Sequence, residues 1–495
     1  MSNKVIIDRL PTGVPGLDEI LGGGLPEFSF NLIAGPPGSG KTTLAHQLMF
    51  ALATAQRPAL YFTVLGEPPL KMLRYQQQFD FFDNEAINRS IRFVNVSEET
   101  LAGGLEAVLQ RIATEVKAHH PALVFVDSFR SLILGSTSED GAGATLQQFM
   151  QQLGLLMTSW EATTFLIGEY FSESGANPVF TVADGLFWLR QMVQRNSVVR
   201  KLEIMKMRGQ ATTPGLHTFR ISDAGLHVFA PALRAAAAGE PKPLLTNSRV
   251  SMGIPRLDDM LGGGMPSGYS VLVAGPSGSG KSILAAAFLA EGARRGETGV
   301  IAAFEQSPKR SRSGVAELIE SGRVAVVENH ASDLSIDEIL LLLMSEIKKL
   351  NAKRVVIDSL SGFELAVAPS FREDFRESLS RMVTALASTG VTVLMTCEME
   401  DRYGDLRFSP YGTAYMTDSI IVQRYIEVDS HLRRLIAVVK VRGSAHSHEL
   451  REFTIDQHGI IIGDMLHDQE GLLGGRPTTK RTDNMVNHEN GTSGE

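Results

Sequence analysis

Short apolar segments alternate with longer helical segments along most of the chain. Runs such as VLVAG, VVID and VTVLM are short and rich in β-branched residues, whereas SILAAAFLAEGARRG and DFRESLSRMVTALASTG have the length and composition of helices. Strands that are apolar throughout and alternate with helices are typical of a parallel sheet covered on both faces. The pattern predicts an α/β fold with a mainly parallel sheet flanked by helices.

The chain contains a long internal repeat. The segment from Gly13 to Thr42 returns from Gly253 to Ser282, so that Lys41 and Lys281 lie 240 positions apart. LVFVDS and KMRG return as RVVIDS and KVRG at offsets of 231 and 234. Solenoid repeats run to roughly 20 to 50 residues. The period therefore indicates a duplicated domain, which we expect to span residues 1–230 in the first copy and 248–470 in the second.

Two segments lie outside the repeated domains. Residues 231–247, PALRAAAAGEPKPLLTN, combine Ala, Gly and Pro without periodicity and are predicted to form a linker. Residues 471–495 are polar and Gly-rich, which predicts a disordered tail. The length of 495 residues alone suggests about three domains, and the repeat changes that expectation to two large ones.

The composition narrows the class of protein. With 43% hydrophobic residues, 21% charged residues and 1 Cys, the chain is neither collagen-like, disordered nor a small disulfide-stapled protein. A net charge of -8 and a pI near 5.9 provide no overall attraction to nucleic acid or anionic lipid. No segment approaches the roughly 18 apolar residues of a membrane span, and the N-terminus lacks an apolar signal region. Since Cys397 has no partner for an internal disulfide and lies in an apolar strand pattern, we expect a buried structural thiol and a cytoplasmic protein.

Both copies carry the motif GxxxxGK[ST], from Gly35 to Thr42 and from Gly275 to Ser282. Each match follows an apolar strand and opens a helix, which is the context of a P-loop. In a P-loop the backbone N–H groups face the β-phosphate and the lysine reaches the β- and γ-oxygens. The predicted nucleotide-binding residues of these motifs are Gly38, Ser39, Gly40, Lys41, Thr42 and Thr43, and Gly278, Ser279, Gly280, Lys281, Ser282 and Ile283.

An aspartate ends an apolar strand in each copy, downstream of the P-loop. Taken alone, a strand-terminal Asp is more often a cap or turn residue, but its recurrence after two P-loops favours a role in holding Mg²⁺, directly or through water. The P-loop hydroxyl is the second oxygen ligand that this chemistry uses. The predicted Mg²⁺ residues are Thr42, Ser282, Asp127, Asp358 and Glu305.

Hydrolysis also needs a group that orients or activates water. The strand LYFTV leads into LGEPP, which offers Glu67, and VIAAFEQSP offers Glu305 in the second copy. The two glutamates do not align, because Gly66 aligns with Glu305 and Glu67 aligns with Gln306 when the two copies are compared. We therefore expect the two sites to differ in hydrolytic competence.

A basic pair recurs late in each copy. Lys206 and Arg208, like Lys440 and Arg442, stand two residues apart in a strand pattern, so both cations project from one face. One interpretation is a solvated basic strand face. The other is a pair of phosphate-neutralising cations supplied across a subunit boundary. Recurrence beside two P-loops favours the second interpretation.

The order of these elements resembles the KaiC family of RecA-like ATPases, from about Leu10 to Asp464. The residues that carry the resemblance are the GxPxLDxxLGGGxP lead-in, the P-loops, the FVDS and VIDS strands, FEQSP, and the KMRG and KVRG strands. The resemblance implies two tandem RecA-like P-loop NTPase domains in each subunit and six subunits in a double ring that binds ATP at every subunit interface. It also implies that the basic pairs act in trans, and that Arg434, Ser444 and His446 line the second-domain site.

The sequence departs from the family pattern at the position of the general base. In the family each domain has a tandem Glu-Glu whose first member is the base, and that position is Gly66 in the first copy and Glu305 in the second. The resemblance therefore supports Glu305 as a base, whereas hydrolysis in the first domain requires that Glu67 substitutes for the missing glutamate.

A second departure concerns phosphorylation. The family's clock members autophosphorylate on an adjacent Ser-Thr pair ahead of a strand that matches TDSII here. The corresponding pair is Ala414-Tyr415, with Ser409, Thr413 and Thr417 nearby. A second-domain Ser/Thr autokinase activity is therefore a hypothesis without an assigned acceptor.

The leading hypothesis is an oligomeric Mg²⁺-dependent ATPase that acts as a nucleotide-driven signalling or timing ring with unidentified protein partners. The alternatives are a RecA-like DNA-dependent ATPase or helicase, and a non-enzymatic ATP-gated scaffold. The negative net charge argues against binding of nucleic acid. The basic KRSR cluster at 309–312 is better explained as the solvated start of a helix. The pairs His119-His120 and His446-His448 lack further ligands at metal-binding spacing, so no transition metal is predicted.

Overall fold

The computed structural model describes residues 7–64, 69–128, 142–171, 178–194, 197–230, 248–304, 307–308, 314–328, 335–367, 375–399, 415–428, 430–465, 469–470 and 478–479. The chain forms two compact units, Met1–Pro231 and Ala232–Glu495.

Eleven strands and six helices are described in the first unit. The strands are β1 (Arg9–Leu10), β2 (Leu25–Pro26), β3 (Phe30–Gly35), β4 (Ala59–Thr63), β5 (Ile91–Asn95), β6 (Leu123–Asp127), β7 (Thr163–Glu169), β8 (Gly185–Gln194), β9 (Ser197–Met207), β10 (Leu216–Ser222) and β11 (Gly225–Val228). The helices are α1 (Leu17–Leu21), α2 (Lys41–Leu52), α3 (Pro69–Gln76), α4 (Ser97–His119), α5 (Ala142–Ser159) and α6 (Pro178–Val182).

In the described residues of this unit, nine strands form one sheet in the order β11-β10-β9-β8-β3-β7-β6-β4-β5. The strands from β8 to β5 are parallel, whereas β9, β10 and β11 extend the sheet in antiparallel fashion. Strand β7 therefore lies between β3, which enters the first P-loop, and β6, which ends at Asp127. Because the carboxyl ends of parallel strands meet at one edge of a sheet, the residues that follow β3, β7, β6 and β4 lie along the same edge.

The parallel strands are buried on both faces. Ile33 packs with Leu44 and Leu48 of α2 on one face, and its neighbour Leu32 packs with Val108 of α4 and Leu153 of α5 on the other. Alternation of this kind follows from the two-residue period of a strand. The predicted α/β fold, with a mainly parallel sheet flanked by helices, is confirmed.

The second unit repeats this architecture. Its strands are β12 (Arg249–Val250), β13 (Met265–Pro266), β14 (Ser270–Gly275), β15 (Gly299–Ala303), β16 (Val324–Glu328), β17 (Arg354–Asp358), β18 (Thr392–Glu398), β19 (Ser419–Val428), β20 (His431–Val441), β21 (Arg451–Asp456), β22 (Gly459–Met465), β23 (Gln469–Glu470) and β24 (Thr478–Thr479). Its helices are α7 (Pro255–Met260), α8 (Lys281–Arg294), α9 (Val315–Glu320), α10 (Ile336–Leu350), α11 (Leu360–Ala366) and α12 (Phe375–Ser388).

Among the described residues of the second unit, the main sheet has the order β16-β15-β17-β18-β14-β19-β20-β21-β22. Strand β18 lies between β14 and β17 with parallel pairing to both, as β7 lies between β3 and β6. Two positions of the predicted tail, Thr478–Thr479, pair with Gln469–Glu470, and the predicted linker lies outside the described residues. Cys397 on β18 is buried, and burial raises the pKa of its thiol to about 12.

The lead-in before each P-loop is held by an aspartate of its short helix. The Asp18 carboxylate on α1 accepts a hydrogen bond from the backbone N–H of Thr12 at 2.9 Å. Asp258 on α7 accepts from the backbone N–H of Met252 at 2.7 Å and from the Ser251 hydroxyl at 2.5 Å. The repeated LDxxLGGG sequence therefore folds in the same way in both units.

Candidate nucleotide-binding site

Each P-loop connects the end of a buried strand to the start of a helix. Strand β3 ends at Gly35 and α2 begins at Lys41, and the second unit has the same arrangement between Gly275 and Lys281. Gly40 and Gly280, just before the helices, have φ values of 100° and 105°. A Cβ atom at either glycine would lie 2.7 Å from an isoleucine Cδ1, of Ile221 or Ile455. The backbone conformation therefore favours glycine here, and a Cβ would also have to displace the isoleucine side chain.

The P-loop lysines fold back over their own loops. Lys41 Nζ donates to the carbonyl oxygen of Pro36 at 2.9 Å, and Lys281 Nζ donates to those of Gly275 and Pro276 at 2.9 and 2.8 Å. Burial lowers the pKa of Lys41, while the negative charges of Glu169 and Asp127 act in the opposite direction. Each ammonium group is thus held against its own P-loop, at the cavity that the loop borders.

In the first unit the predicted metal carboxylate and hydroxyl lie together. Thr42 Oγ1 donates to Asp127 Oδ2 at 2.9 Å, and the Tyr61 hydroxyl donates to the same oxygen at 2.8 Å. Burial raises the pKa of Asp127, while the hydrogen bonds from Tyr61 and Thr42 lower it. A hydroxyl and a carboxylate in contact are the hard oxygen donors that Mg²⁺ prefers.

The second unit holds its aspartate differently. Thr396 Oγ1, on β18, donates to Asp358 Oδ1 at 2.5 Å. Ser282 lines the same cavity as Asp358. Sequence reasoning missed both Tyr61 and Thr396, because an aromatic or β-branched residue in an apolar strand pattern is indistinguishable from a core residue.

A further carboxylate lies beside each P-loop. Glu169 is the last residue of β7 and pairs in register with Gly35, and Glu398 ends β18 opposite Gly275. Each glutamate lines the cavity of its own P-loop. These residues were also missed in the sequence, although a strand ending in Glu ahead of the basic pair recurs in both copies.

The P-loops border cavities of about 360 Å³ in the first unit and about 330 Å³ in the second. Most of the predicted nucleotide-binding residues line them. Ser39 and Ser279 instead lie buried beneath their loops, and the Ser279 hydroxyl donates to Gln423 Oε1 at 3.1 Å. The predicted residues that line the cavities are Gly38, Gly40, Lys41, Thr42, Thr43 and Asp127, and Gly278, Gly280, Lys281, Ser282, Ile283 and Asp358.

The first basic pair lies at the other end of its sheet. Lys206 on β9 pairs in register with Leu186, near the start of β8, and its Nζ donates to the carbonyl oxygens of Phe180 and Thr181 at 3.2 and 3.1 Å. Arg208 forms an ion pair with Asp184 at 3.0 Å and remains 59% exposed.

The second basic pair has the same placement. Lys440 Nζ donates to the carbonyl oxygen of Thr417 at 2.7 Å. Arg442 pairs with Asp418 at 3.2 Å and remains 56% exposed. In both units a register shift in the strand pairing immediately precedes the lysine, so the two pairs are built by the same local backbone irregularity.

The other predicted second-domain residues do not lie together within one chain. The Arg434 guanidinium lies over the ring of Tyr425, 5.5 Å from its centroid, and a Cβ at Gly278 would lie 3.2 Å from the Tyr425 hydroxyl. Arg434 is therefore on the P-loop side of the sheet. Ser444 follows β20 at the opposite end, where its hydroxyl accepts from Arg249 at 2.6 Å, and His446 lies two residues further on.

Several predicted residues lie outside the described part of the chain. They include both candidate bases, Glu67 and Glu305, with their neighbours Gly66 and Gln306. The basic cluster at 309–312 and the positions Ser409, Thr413 and Ala414 also lie there. Thr417 is fully buried, and Tyr415 is 63% exposed.

The described residues contain no cluster of three or more His, Cys, Asp or Glu side chains that could hold a metal ion. No helix in the part of the chain that the structure describes is long and apolar enough to cross a membrane.

A parallel sheet with a P-loop after one strand, and an aspartate that reaches the P-loop hydroxyl from another, defines a P-loop nucleoside triphosphatase. Here two RecA-like domains of this class stand in tandem. The family model for the ATPase domain of KaiC matches residues 10–232 and again 250–467. The chain belongs to the KaiC ATPase family, and the protein is an ATP-hydrolysing enzyme of that family.

Curated relatives are similar over nearly the whole chain. The circadian clock oscillator protein KaiC of Picosynechococcus sp. is 26% identical over 95% of this chain and 93% of the relative. The same-named protein of Rippkaea orientalis is 27% identical over 95% of this chain and 92% of its own length. The circadian clock protein KaiC3 of Synechocystis sp. is 28% identical over 95% of both chains.

Proposed function

We propose that this ATPase is a Mg²⁺-dependent hexameric ring in which ATP joins the P-loop of one subunit to the Lys-Arg pair of its neighbour. The nucleotide state of each site then sets the geometry of a subunit interface, which is how a ring of this kind signals to other proteins. Clock-type proteins are the proposed partners, because the relatives named above are clock proteins. The lone Cys397 supports action in the reducing cytoplasm.

The observation that carries the proposal is the distance between each P-loop and the basic pair of the same domain. Lys206 pairs in register with Leu186, which pairs with Leu32 of β3. The P-loop begins three residues later at Gly35, and three residues of strand span about 10 Å along the strand. A lysine side chain bonded to carbonyl oxygens at that end does not reach phosphates at the other. The exposed Arg208 is instead available to another subunit's nucleotide, as an arginine finger acts in trans.

The residues around each P-loop fit ATP and Mg²⁺. The loop glycines leave the backbone free to approach phosphates at a helix N-terminus, and the lysine supplies a positive charge. Thr42 with Asp127, and Ser282 with Asp358, present hydroxyl and carboxylate oxygens beside the loop. When bound there, Mg²⁺ would neutralise charge on the β- and γ-phosphates.

The separation of Arg434 from Ser444 and His446 fits the same arrangement. A site that needs all three residues is assembled only when one subunit contributes Arg434 near its P-loop and the other contributes Ser444 and His446. Glu305 as base in the second domain remains a prediction from the sequence, as does Glu67 in the first.

The second domain is also a candidate Ser/Thr autokinase. Thr417 is fully buried and its backbone oxygen accepts the Lys440 bond, which argues against it as an acceptor. Ser409 and Thr413 remain candidates. Mass spectrometry after incubation with ATP would locate any phosphate.

A complementation experiment tests action in trans. In a Lys281→Ala background, Lys41→Ala and Arg208→Ala should each abolish first-domain ATPase activity in homogeneous assemblies. Co-expression of the two variants creates interfaces with an intact lysine from one subunit and an intact arginine from the other. With random mixing, roughly a quarter of the interfaces should be active.

The matched control is Lys201→Ala, which removes a cation on β9 away from the basic pair and should leave the rate unchanged. Native mass spectrometry of the same samples reports the number of subunits. Mixed assemblies that are as inactive as either homogeneous variant would contradict sharing of the site between subunits.

A further inference from the structure

Glu169 is placed to act on the phosphate site of the first domain. It ends β7, the strand that separates the P-loop strand β3 from the aspartate strand β6. The backbone N–H of the next residue, Tyr170, donates to the carbonyl oxygen of Gly35 at 3.1 Å. The glutamate is therefore fixed directly beside the start of the P-loop, rather than on a separate loop.

The surroundings of Glu169 are those of a reaction site. It lines one cavity with Lys41, Thr42, Asp127 and Ser128, and its negative charge raises the pKa of Lys41 against the effect of burial. A carboxylate close to the lysine that neutralises the terminal phosphates is close to those phosphates as well.

We propose that Glu169 is the catalytic carboxylate that activates water for ATP hydrolysis in the first domain. The inference rests on the proposed function, since it assumes that ATP occupies this cavity. It accounts for Gly66, which replaces the glutamate that the family resemblance leads us to expect at the first position of the pair.

Hydrolysis at this site requires only ATP and one water molecule as reactants. The oxygen of a water molecule forms a bond to the γ-phosphorus while the bond from that phosphorus to the β,γ-bridging oxygen breaks, and its electron pair leaves with ADP. The proton released by the water passes to the Glu169 carboxylate and then to the phosphate product or solvent. Lys41 balances the negative charge at the terminal phosphates throughout.

The second domain provides an internal comparison. Glu398 ends β18 beside Gly275, and the N–H of Met399 donates to the Gly275 oxygen at 3.0 Å. Its position is thus equivalent to that of Glu169. The second copy also carries Glu305, so Glu398 is not expected to be the sole base. The first domain should depend on its strand-end glutamate more strongly than the second.

The experiment measures both binding and chemistry in the full-length chain. In a Lys281→Ala background, Glu169→Gln should bind a fluorescent ATP analogue within about threefold of the parent's affinity. Its single-turnover rate should fall by roughly 10² to 10⁴, the usual contribution of a general base. Nucleotide extracted from the variant after incubation should be ATP, whereas the parent should contain mainly ADP.

Two matched variants make the result specific. Glu398→Gln in a Lys41→Ala background should slow the second domain by less than roughly tenfold. Glu67→Gln tests the other candidate base of the first domain, and a fall in rate as large as the one expected of Glu169→Gln would assign the base to Glu67 and overturn the proposal. An unchanged single-turnover rate in Glu169→Gln, or loss of ATP binding as severe as in Lys41→Ala, would overturn the assignment. A parent that binds no ATP at its first site would instead refute the proposed function and the inference with it.

Discussion

Tyr61 and Thr396 hold the two strand-end aspartates from opposite sides. Tyr61 lies on β4 and donates to Asp127, whereas Thr396 lies on β18 and donates to Asp358. Position 301, which is 240 residues after Tyr61, is Ile301, whose side chain has no hydrogen-bond donor. The two domains have therefore acquired different donors for the same carboxylate.

Replacing Tyr61 should weaken the use of Mg²⁺ in the first domain. Tyr61→Phe keeps the ring and removes the hydroxyl, so Asp127 loses a buried donor that helps to orient it. A hydrogen bond to a charged group contributes about 1.5 to 3 kcal/mol, which predicts a rise of roughly tenfold or more in the Mg²⁺ concentration needed for half-maximal binding of an ATP analogue.

The matched variant is Thr396→Val, which should produce the same rise in the second domain only. Each variant is measured with the other domain's P-loop lysine changed to alanine, and nucleotide affinity in excess EDTA should not change. A Tyr61→Phe protein with the parent's Mg²⁺ dependence would show that the hydroxyl does not position Asp127.

His46 makes the first domain sensitive to acid. It is fully buried on α2, with its ring 4.7 Å from that of Tyr61. Burial lowers the pKa of His46 to about 4, and the polar side chain of Gln76 acts in the opposite direction. The corresponding position in the second domain is Ala286, which cannot titrate.

The direction of the pH effect on stability follows from the pKa of His46 in the unfolded and folded states. Unfolded, its pKa is near 6.5, so below that pH the unfolded chain binds a proton that the folded domain excludes. The stability contribution is therefore complete above pH 6.5 and is lost as the pH falls toward 4, by up to about 3 kcal/mol. His46→Leu should lose less stability over this range.

Hydrogen exchange measured by mass spectrometry follows each domain separately in one sample. Peptides from α2 should show a larger loss of protection between pH 7 and 4.5 in the wild-type protein than in His46→Leu, after correction for intrinsic exchange. Peptides from α8 serve as the internal reference. Equal losses in the two proteins would contradict the assigned effect of His46.

At the level of helices and strands, the local motifs could be predicted from the sequence. The strands that pair with them in the sheet could not. The P-loops could be located because glycine at Gly40 and Gly280 is demanded by the backbone of the loop itself. The two-residue spacing of Lys206 and Arg208 correctly indicated neighbouring cations. Which end of the sheet they occupy depends on the antiparallel pairing of β8 with β9, which a single strand pattern does not specify.

Residues that act through tertiary pairing were the ones missed. Glu169 matters because β7 is inserted between β3 and β6, although it comes after both in the chain. Tyr61 matters because β4 lies next to β6. In sequence, Glu169 ends one strand among several and Tyr61 is one aromatic residue in an apolar run. Only the strand order converts them into neighbours of Asp127 and the P-loop.

Across the whole molecule, both copies of the duplicated domain keep the same strand order, whereas the residues around the two P-loops differ. Both units place the P-loop, the aspartate and a strand-end glutamate at one edge and the basic pair at the other. The donors to the aspartates differ, and the candidate bases Glu67 and Glu305 do not align. We therefore expect the two domains to hydrolyse ATP at different rates.

The net charge bears on the choice between a signalling ring and a DNA-dependent motor. A chain with a net charge of -8 has no overall attraction to a polyanion. The exposed cations Arg208 and Arg442 already pair with Asp184 and Asp418, and we propose that they contact a neighbouring subunit's nucleotide. Single-stranded DNA should therefore change the ATPase rate of the assembled protein by less than about twofold, even at low salt, where phosphate contacts are strongest.

The measurement is steady-state phosphate release with and without a long oligonucleotide, with fluorescence anisotropy of the labelled strand as a direct readout of binding. Strong stimulation, together with binding that weakens steeply as salt is added, would instead establish a nucleic-acid-dependent ATPase.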